Sequence, residues 1–140
     1  MVKEVIIFAK KNAKVLFSSI IGEQESNSKD NPQILEKLKA TASSLREGFL
    51  ITQLNIGNTL VMQGNNVTTA VIFDKEMDEE EIIINWKNAA KEIGALCSRN
   101  YDKENNQLIN IDNLEVSLTE LIDSYLEEAN PISKMRDAFW

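Results

Sequence analysis

Residues 49–97 read FLITQLNIGNTLVMQGNNVTTAVIFDKEMDEEEIIINWKNAAKEIGALC, and this part of the chain sets its architecture. Three short runs rich in Val, Ile, Leu and Thr come first, separated by residues 56–58 (IGN) and 64–66 (GNN). Glycine and asparagine tolerate the positive φ angles of tight turns, so the pattern predicts an antiparallel meander of three strands. A long amphipathic helix is then predicted, with Asp78 as its N-cap and Trp86 on its buried stripe.

The flanking segments add two strands and two helices. Their predicted positions are strands at residues 5–9 and 15–21, a polar loop at 22–30, a helix at 31–47, a loop with a short anchored segment at 99–113, and a last helix at about 114–128. The two strands are continuously apolar, which is typical of a sheet covered on both faces. Asn31 and Pro32 suit the start of a helix, and Gly48 suits the position just after its end.

The resulting order, β-β-α-β-β-β-α-α, predicts an α/β fold of the α+β kind. Hairpin and meander connections make the five-stranded sheet mainly antiparallel. Three helices with apolar stripes would cover both faces of this sheet and give three layers. We expect one domain at residues 1–130 and a short C-terminal tail at 131–140.

Composition narrows the classes of function. The formal net charge is −7, which disfavours nucleic-acid binding because phosphate neutralisation needs clustered Lys and Arg. The chain contains no histidine, and this excludes a Ser-His-Asp triad, a Cys-His pair and any histidine metal ligand. Cys97 is interpreted as a buried apolar residue. We therefore expect a protein that is not an enzyme, with no catalytic residue, cofactor or metal.

The sequence shows neither a signal peptide nor an apolar run long enough to span a membrane. We expect a cytoplasmic protein that reaches a membrane periphery only through partners. Lys10, Lys11 and Lys14 cluster at the tip of the first predicted hairpin. The prediction for this tip is a solvated turn, and the alternative is a basic surface that contacts anionic lipid.

Three segments carry a family resemblance: the opening strand-turn-strand VIIFAKKNAKVLFSS, the helix NPQILEKLKATASSLREG, and the meander through TLVMQG and VTTAVIFDKEMDEEE. Together they resemble the longin family, within the wider longin, roadblock and profilin-like group. The opening hairpin is similar to that of transport-protein-particle subunits and of the signal-recognition-particle receptor alpha subunit. The resemblance covers residues 2–128.

The resemblance implies a non-enzymatic binding platform for small GTPases, SNAREs, coat subunits or another longin or roadblock subunit, often as a dimer. We therefore expect an adaptor or scaffold in membrane trafficking or small-GTPase regulation, and a homodimer is one form it could take. The alternative is a small-molecule or signal-sensing domain, because related profilin-like folds hold ligands against the sheet. The resemblance also implies the sheet order 2-1-5-4-3, with the second and third strands at the edges.

The third strand, FLITQLNI, is the edge most suited to a partner. It carries no charge along its length, and uncharged exposed edges are prone to pairing with other chains. The candidate partner-binding residues on this edge are Phe49, Ile51, Gln53 and Asn55. The alternative is that the loop at 22–30 or the tail at 131–140 covers the edge within one chain.

Overall fold

The meander predicted at residues 49–73 is present in the computed structural model, which describes residues 2–20, 32–45 and 48–128. The strands are β1 (Val2–Ala9), β2 (Val15–Ile20), β3 (Phe49–Leu54), β4 (Gly57–Gln63), β5 (Val67–Phe73), β6 (Tyr101–Asp102) and β7 (Gln107–Leu108). The helices are α1 (Pro32–Ser44), α2 (Glu79–Arg99) and α3 (Ile111–Glu128). The predicted loop at 22–30 and the predicted tail at 131–140 lie outside the described residues.

Five strands form one antiparallel sheet in the order β2-β1-β5-β4-β3. β1 pairs with both β2 and β5, and β4 pairs with both β5 and β3. Every residue of β5 is buried, whereas β2 and β3 lie at the edges and are mostly half-buried. The predicted α+β class and the five-stranded antiparallel sheet are therefore confirmed.

Side chains from the two faces of the sheet enter two separate cores. On one face, Ile7 of β1 packs in a cluster that also contains Trp86 of α2 and Leu118 of α3. On the other face, the neighbouring Ile6 packs in a cluster with Leu38 of α1. Successive side chains of a strand point to opposite faces, so β1 separates the two cores. Helix α1 therefore covers one face, and α2 and α3 cover the other.

Helix α2 begins as its sequence predicts. The carboxylate of Asp78 accepts a hydrogen bond from the backbone N–H of Glu81 at 2.8 Å, which satisfies a donor that the first turn leaves unpaired. Three glutamates in that turn are stabilised by the positive end of the helix dipole. Trp86, farther along α2, is buried on the sheet side, as predicted.

The element order differs from the predicted one between α2 and α3. A two-stranded hairpin, β6–β7, replaces the loop that was predicted at residues 99–113. Asn106 closes the hairpin at a φ of 50°, a left-handed conformation that asparagine tolerates. Leu108 of β7 is buried and anchors the hairpin to the main core. Strands of two residues are too short to show an alternating pattern, so the sequence did not reveal them.

Two predicted helix boundaries were also wrong. Helix α1 ends at Ser44, four residues before Gly48, in a run of hydroxyl residues. The Ser44 hydroxyl donates to the Thr41 carbonyl at 3.0 Å, and such side-chain bonds compete with helix continuation. Helix α3 begins at Ile111, three residues before the predicted Leu114. The N–H of Leu114 already donates to the Asn110 carbonyl at 2.9 Å, so Leu114 lies in the first turn of the helix and does not begin it.

Candidate functional site

The backbone of β3 is open on one side. The N–H of Gln63 in β4 donates to the carbonyl of Gly48 at 2.9 Å, which fixes which β3 residues face β4. Backbone groups alternate in direction along an antiparallel strand, so Leu50 and Thr52 face β4. The N–H and C=O groups of Phe49 and Ile51 then point outward, away from the sheet. No hydrogen bond from residues 2–20, 32–45 or 48–128 reaches these outward groups.

The four predicted edge residues fall into two pairs. Phe49 and Ile51 are half-buried and pack against the core under α2 and α3. The ammonium group of Lys87 in α2 lies 4.7 Å from the centre of the Phe49 ring, within the range of a cation–π contact. Gln53 and Asn55 are exposed, but β3 ends at Leu54, so Asn55 lies in the β3–β4 turn and not on the strand as predicted. The edge therefore offers two anchored apolar side chains next to two side chains that solvent reaches.

Lys37 of α1 partly protects this edge, and sequence reasoning missed it. Its ammonium group donates to the carbonyl of Gln53 at 2.7 Å, which occupies one of the outward backbone acceptors. A lysine on an edge strand is a known protection against pairing, but here the lysine comes from the neighbouring helix. Its reach depends on how α1 lies across the sheet, so no local pattern could have shown it. The outward backbone groups that Lys37 does not reach are those of Phe49 and Ile51 and the N–H of Gln53.

A groove of about 290 Å³ adjoins the protected end of the edge. It lies between the first turns of α1 and the β3–β4 turn, and its lining residues are Gln33, Ile34, Lys37, Leu54, Asn55 and Ile56. Apolar and polar side chains both contribute to it. A groove beside an open strand can receive a side chain of a chain that pairs with the strand.

The structure separates the three lysines of the predicted basic tip. All three are exposed around the turn that joins β1 to β2. Lys10 and Lys11 line a groove of about 500 Å³, whereas the ammonium group of Lys14 donates to the carbonyl of Asn106 at 3.4 Å. The groove also includes Tyr101 and Lys103 of the β6–β7 hairpin, which sequence reasoning had not connected with the tip.

Cys97 is buried in α2, as predicted. Burial raises the pKa of its thiol to about 12, because the charged thiolate is disfavoured away from water. The thiolate is the nucleophilic form of cysteine, so this side chain is unreactive near neutral pH.

Two further features concern the part of the chain that the structure describes. No cluster of three or more His, Cys, Asp or Glu side chains there is arranged to hold a metal ion. None of the helices described is both long enough and apolar enough to cross a membrane.

No known family model matches this chain. A search of curated proteins also finds no match.

Proposed function

We propose that this protein is a non-enzymatic protein–protein interaction platform whose partner pairs with the β3 edge. The observation that carries the proposal is the outward direction of the Phe49 and Ile51 backbone groups, next to half-exposed apolar side chains. Strand addition uses such an edge: backbone hydrogen bonds provide affinity, and alternate side chains provide specificity.

The size of the open edge limits what it contributes alone. Phe49 and Ile51 together present two donors and two acceptors, and each net hydrogen bond contributes about 0.5–1.5 kcal/mol. Four such bonds would give roughly 2–6 kcal/mol, which the loss of translational and rotational freedom on association can cancel. The adjoining groove between α1 and the β3–β4 turn would have to contribute as well. We therefore infer a partner that places a strand on β3 and a side chain in this groove.

The resemblance to longin domains is the basis for proposing which class of protein the partner belongs to. The observed sheet order, β2-β1-β5-β4-β3, is the one that the resemblance implies, although the β6–β7 hairpin is an addition to the implied element order. The proposed role of this protein is that of a longin-type adaptor or scaffold in the cytoplasm, acting in membrane trafficking or small-GTPase regulation. Its proposed partner is a small GTPase, another longin or roadblock subunit, or a second copy of this chain.

Molar mass in solution tests this proposal, measured for the protein alone and with purified small GTPases in each nucleotide state. Gln53→Lys combined with Asn55→Lys adds two charges at exposed positions, one on β3 and one in the turn just beyond it, which should prevent strand pairing and leave the core intact. The control is Thr119→Lys together with Ser124→Lys, which adds the same two charges at exposed positions of helix α3. A complex that forms equally well with the edge variant would contradict the proposal.

The second candidate function, small-molecule or signal sensing, is supported by a different observation. The groove at the lysine-rich end of the sheet has a volume within the range of small-molecule sites, about 300–1,000 Å³. It lies at the turns that join the strands and does not involve the β3 edge. The two functions can therefore be tested separately.

A further inference from the structure

Three turns that are distant in sequence meet at one end of the main sheet. They are the β1–β2 turn, the β4–β5 turn and the β6–β7 turn. The backbone N–H of Lys10 donates to the carbonyl of Asn66 at 3.1 Å, which joins the first turn to the second. Lys14 donates to the carbonyl of Asn106 at 3.4 Å, which joins the first turn to the third.

A groove of about 500 Å³ lies among these turns, and its lining residues are Lys10, Lys11, Asn65, Asn66, Tyr101 and Lys103. Three of the six are lysines, two are amides and one is aromatic, and none is a carboxylate. The Tyr101 hydroxyl donates to the side chain of Asn106 at 2.6 Å, a hydrogen bond within the hairpin that holds the Tyr101 ring in its place beside the groove. The lining is therefore assembled from three turns that hydrogen bonds hold in place.

The groove is basic although the whole chain carries a formal charge of −7. Two carboxylates, Asp102 and Glu104, flank Lys103 in its turn and offset part of its charge. The carboxylate of Asp102 accepts from the side chain of Asn105 at 2.7 Å and from the N–H of Glu104 at 3.0 Å, so it is used to close the turn. Lys10 and Lys11 have no such carboxylate in their own turn.

We propose that this groove binds a small ligand through its phosphate groups. Lysine ammonium groups bind phosphate as point charges, and asparagine amides can donate further hydrogen bonds to phosphate oxygens. Three lysines around one groove suit a ligand with more than a single negative charge. The Tyr101 ring adds an apolar surface against which the rest of the ligand can pack. A soluble phosphorylated molecule and a phosphorylated lipid headgroup share this chemistry.

Titration with inorganic pyrophosphate, followed by the backbone amide signals in NMR, tests the proposal. The expected result is saturable shifts of the Lys10, Asn65 and Asn66 signals. The triple variant Lys10→Gln, Lys11→Gln, Lys103→Gln should weaken binding by roughly fivefold for each lysine, as expected for contacts between lysine and an anionic surface. Circular dichroism and a thermal melt of the same variant establish that it is folded.

Two single variants provide a matched comparison. Lys75→Gln removes one charge beyond the far end of β5, roughly 20 Å away, which exceeds the screening length at physiological salt. Lys10→Gln removes the same single charge from the lining of the groove. Lys75→Gln should retain most of the wild-type affinity, whereas Lys10→Gln should weaken binding roughly fivefold. Equal weakening by Lys75→Gln and by Lys10→Gln would overturn the proposal, because it would show attraction by net charge alone.

Vesicle binding distinguishes the two sources of phosphate. Phosphatidylcholine vesicles with and without a phosphatidylinositol phosphate are sedimented with the wild type and the triple variant. Binding that needs the phosphorylated lipid and is lost in the variant identifies a headgroup, whereas pyrophosphate binding without vesicle binding identifies a soluble ligand. The proposal fails if the wild type shows saturable binding to neither probe, or if the folded triple variant binds as the wild type does.

Discussion

Trp86 of helix α2 packs against both the sheet and helix α3, and replacing it by alanine should remove these contacts. Trp86 is 1% exposed and is among the largest fully buried side chains that the structure describes. Its ring centre lies 5.5 Å from that of Phe73 in β5, at an interplanar angle of 64°, which is an edge-to-face arrangement. It also lies 6.2 Å from the ring of Tyr125 in α3. The variant therefore removes two ring contacts and leaves a cavity.

The expected cost follows from the buried area. A buried aromatic side chain removes about 150–250 Å² from water, and about 25 cal/mol per Å² gives roughly 4–6 kcal/mol. An unpaired polar group in the wild-type protein reduces this cost. The Trp86 indole N–H has no hydrogen-bond partner among the described residues, and its removal relieves a penalty of about 1–3 kcal/mol. The middle of each range leaves a net loss of about 3 kcal/mol in the free energy of unfolding, and the residual cavity adds to this loss, in line with the usual range of about 3–5 kcal/mol for such substitutions.

Urea and thermal unfolding measure this loss. Far-UV circular dichroism is the suitable signal, because the substitution removes a fluorophore and so changes the fluorescence signal itself. At about 3–5 °C per kcal/mol for a chain of this size, Tm should fall by roughly 10–20 °C. Ile84→Ala is the control on the same helix, because its side chain is 70% exposed and should change stability by less than about 0.5 kcal/mol. A Trp86→Ala protein that melts together with the Ile84→Ala protein would refute the packing described.

Three further predictions concern Gly57, Cys97 and Lys37. Gly57→Ala should lower the free energy of unfolding by about 3 kcal/mol or more, because Gly57 has a φ of 150° and a Cβ would clash with the Phe73 carbonyl; Gly48→Ala, at a positive φ but with open space around it, should cost less in the same urea titration. Between about pH 8 and pH 10 the wild type should lose about 1.4 kcal/mol of stability relative to Cys97→Ala. The unfolded thiol ionises near its ordinary pKa of 9.0 while the folded thiol keeps its proton up to about 12, so stability falls as pH rises; parallel pH profiles would show an accessible thiol. Lys37→Met should strengthen partner binding about fivefold in a sedimentation assay, since it exposes the Gln53 carbonyl to pairing, whereas Lys39→Met should not.

Much of the fold could be predicted because its main elements each bury a patterned face. β5 is a continuously apolar run between two turn clusters, and α2 combines an N-cap at Asp78 with a buried stripe through Trp86. The missed features depend on tertiary contacts. The β6–β7 hairpin is stabilised by the burial of Leu108 and turns at Asn106, which tolerates the left-handed conformation there, and neither feature produces a periodic pattern.

The same distinction applies to the candidate sites. The sequence itself shows that the third strand carries no charge, and the family resemblance implied that this strand lies at the sheet edge. The partial protection of this edge could not be predicted, because Lys37 and Gln53 meet only once α1 has packed on the sheet. The basic tip was recognised at Lys10 and Lys11, but Tyr101 and Lys103 join them from the other end of the chain. A groove formed by separate turns has no local sequence signature.

Amide hydrogen exchange along β3 is the most direct test of whether this edge is the binding surface. In the dilute protein, the amides of Phe49 and Ile51 should exchange quickly while those of Leu50 and Thr52, which face β4, are protected. In a complex with the partner, or in a dimer, Phe49 and Ile51 should become protected as well. If these two amides are already as protected as their neighbours in the dilute monomer, or stay unprotected in the complex, the β3 edge is not where this protein binds its partner.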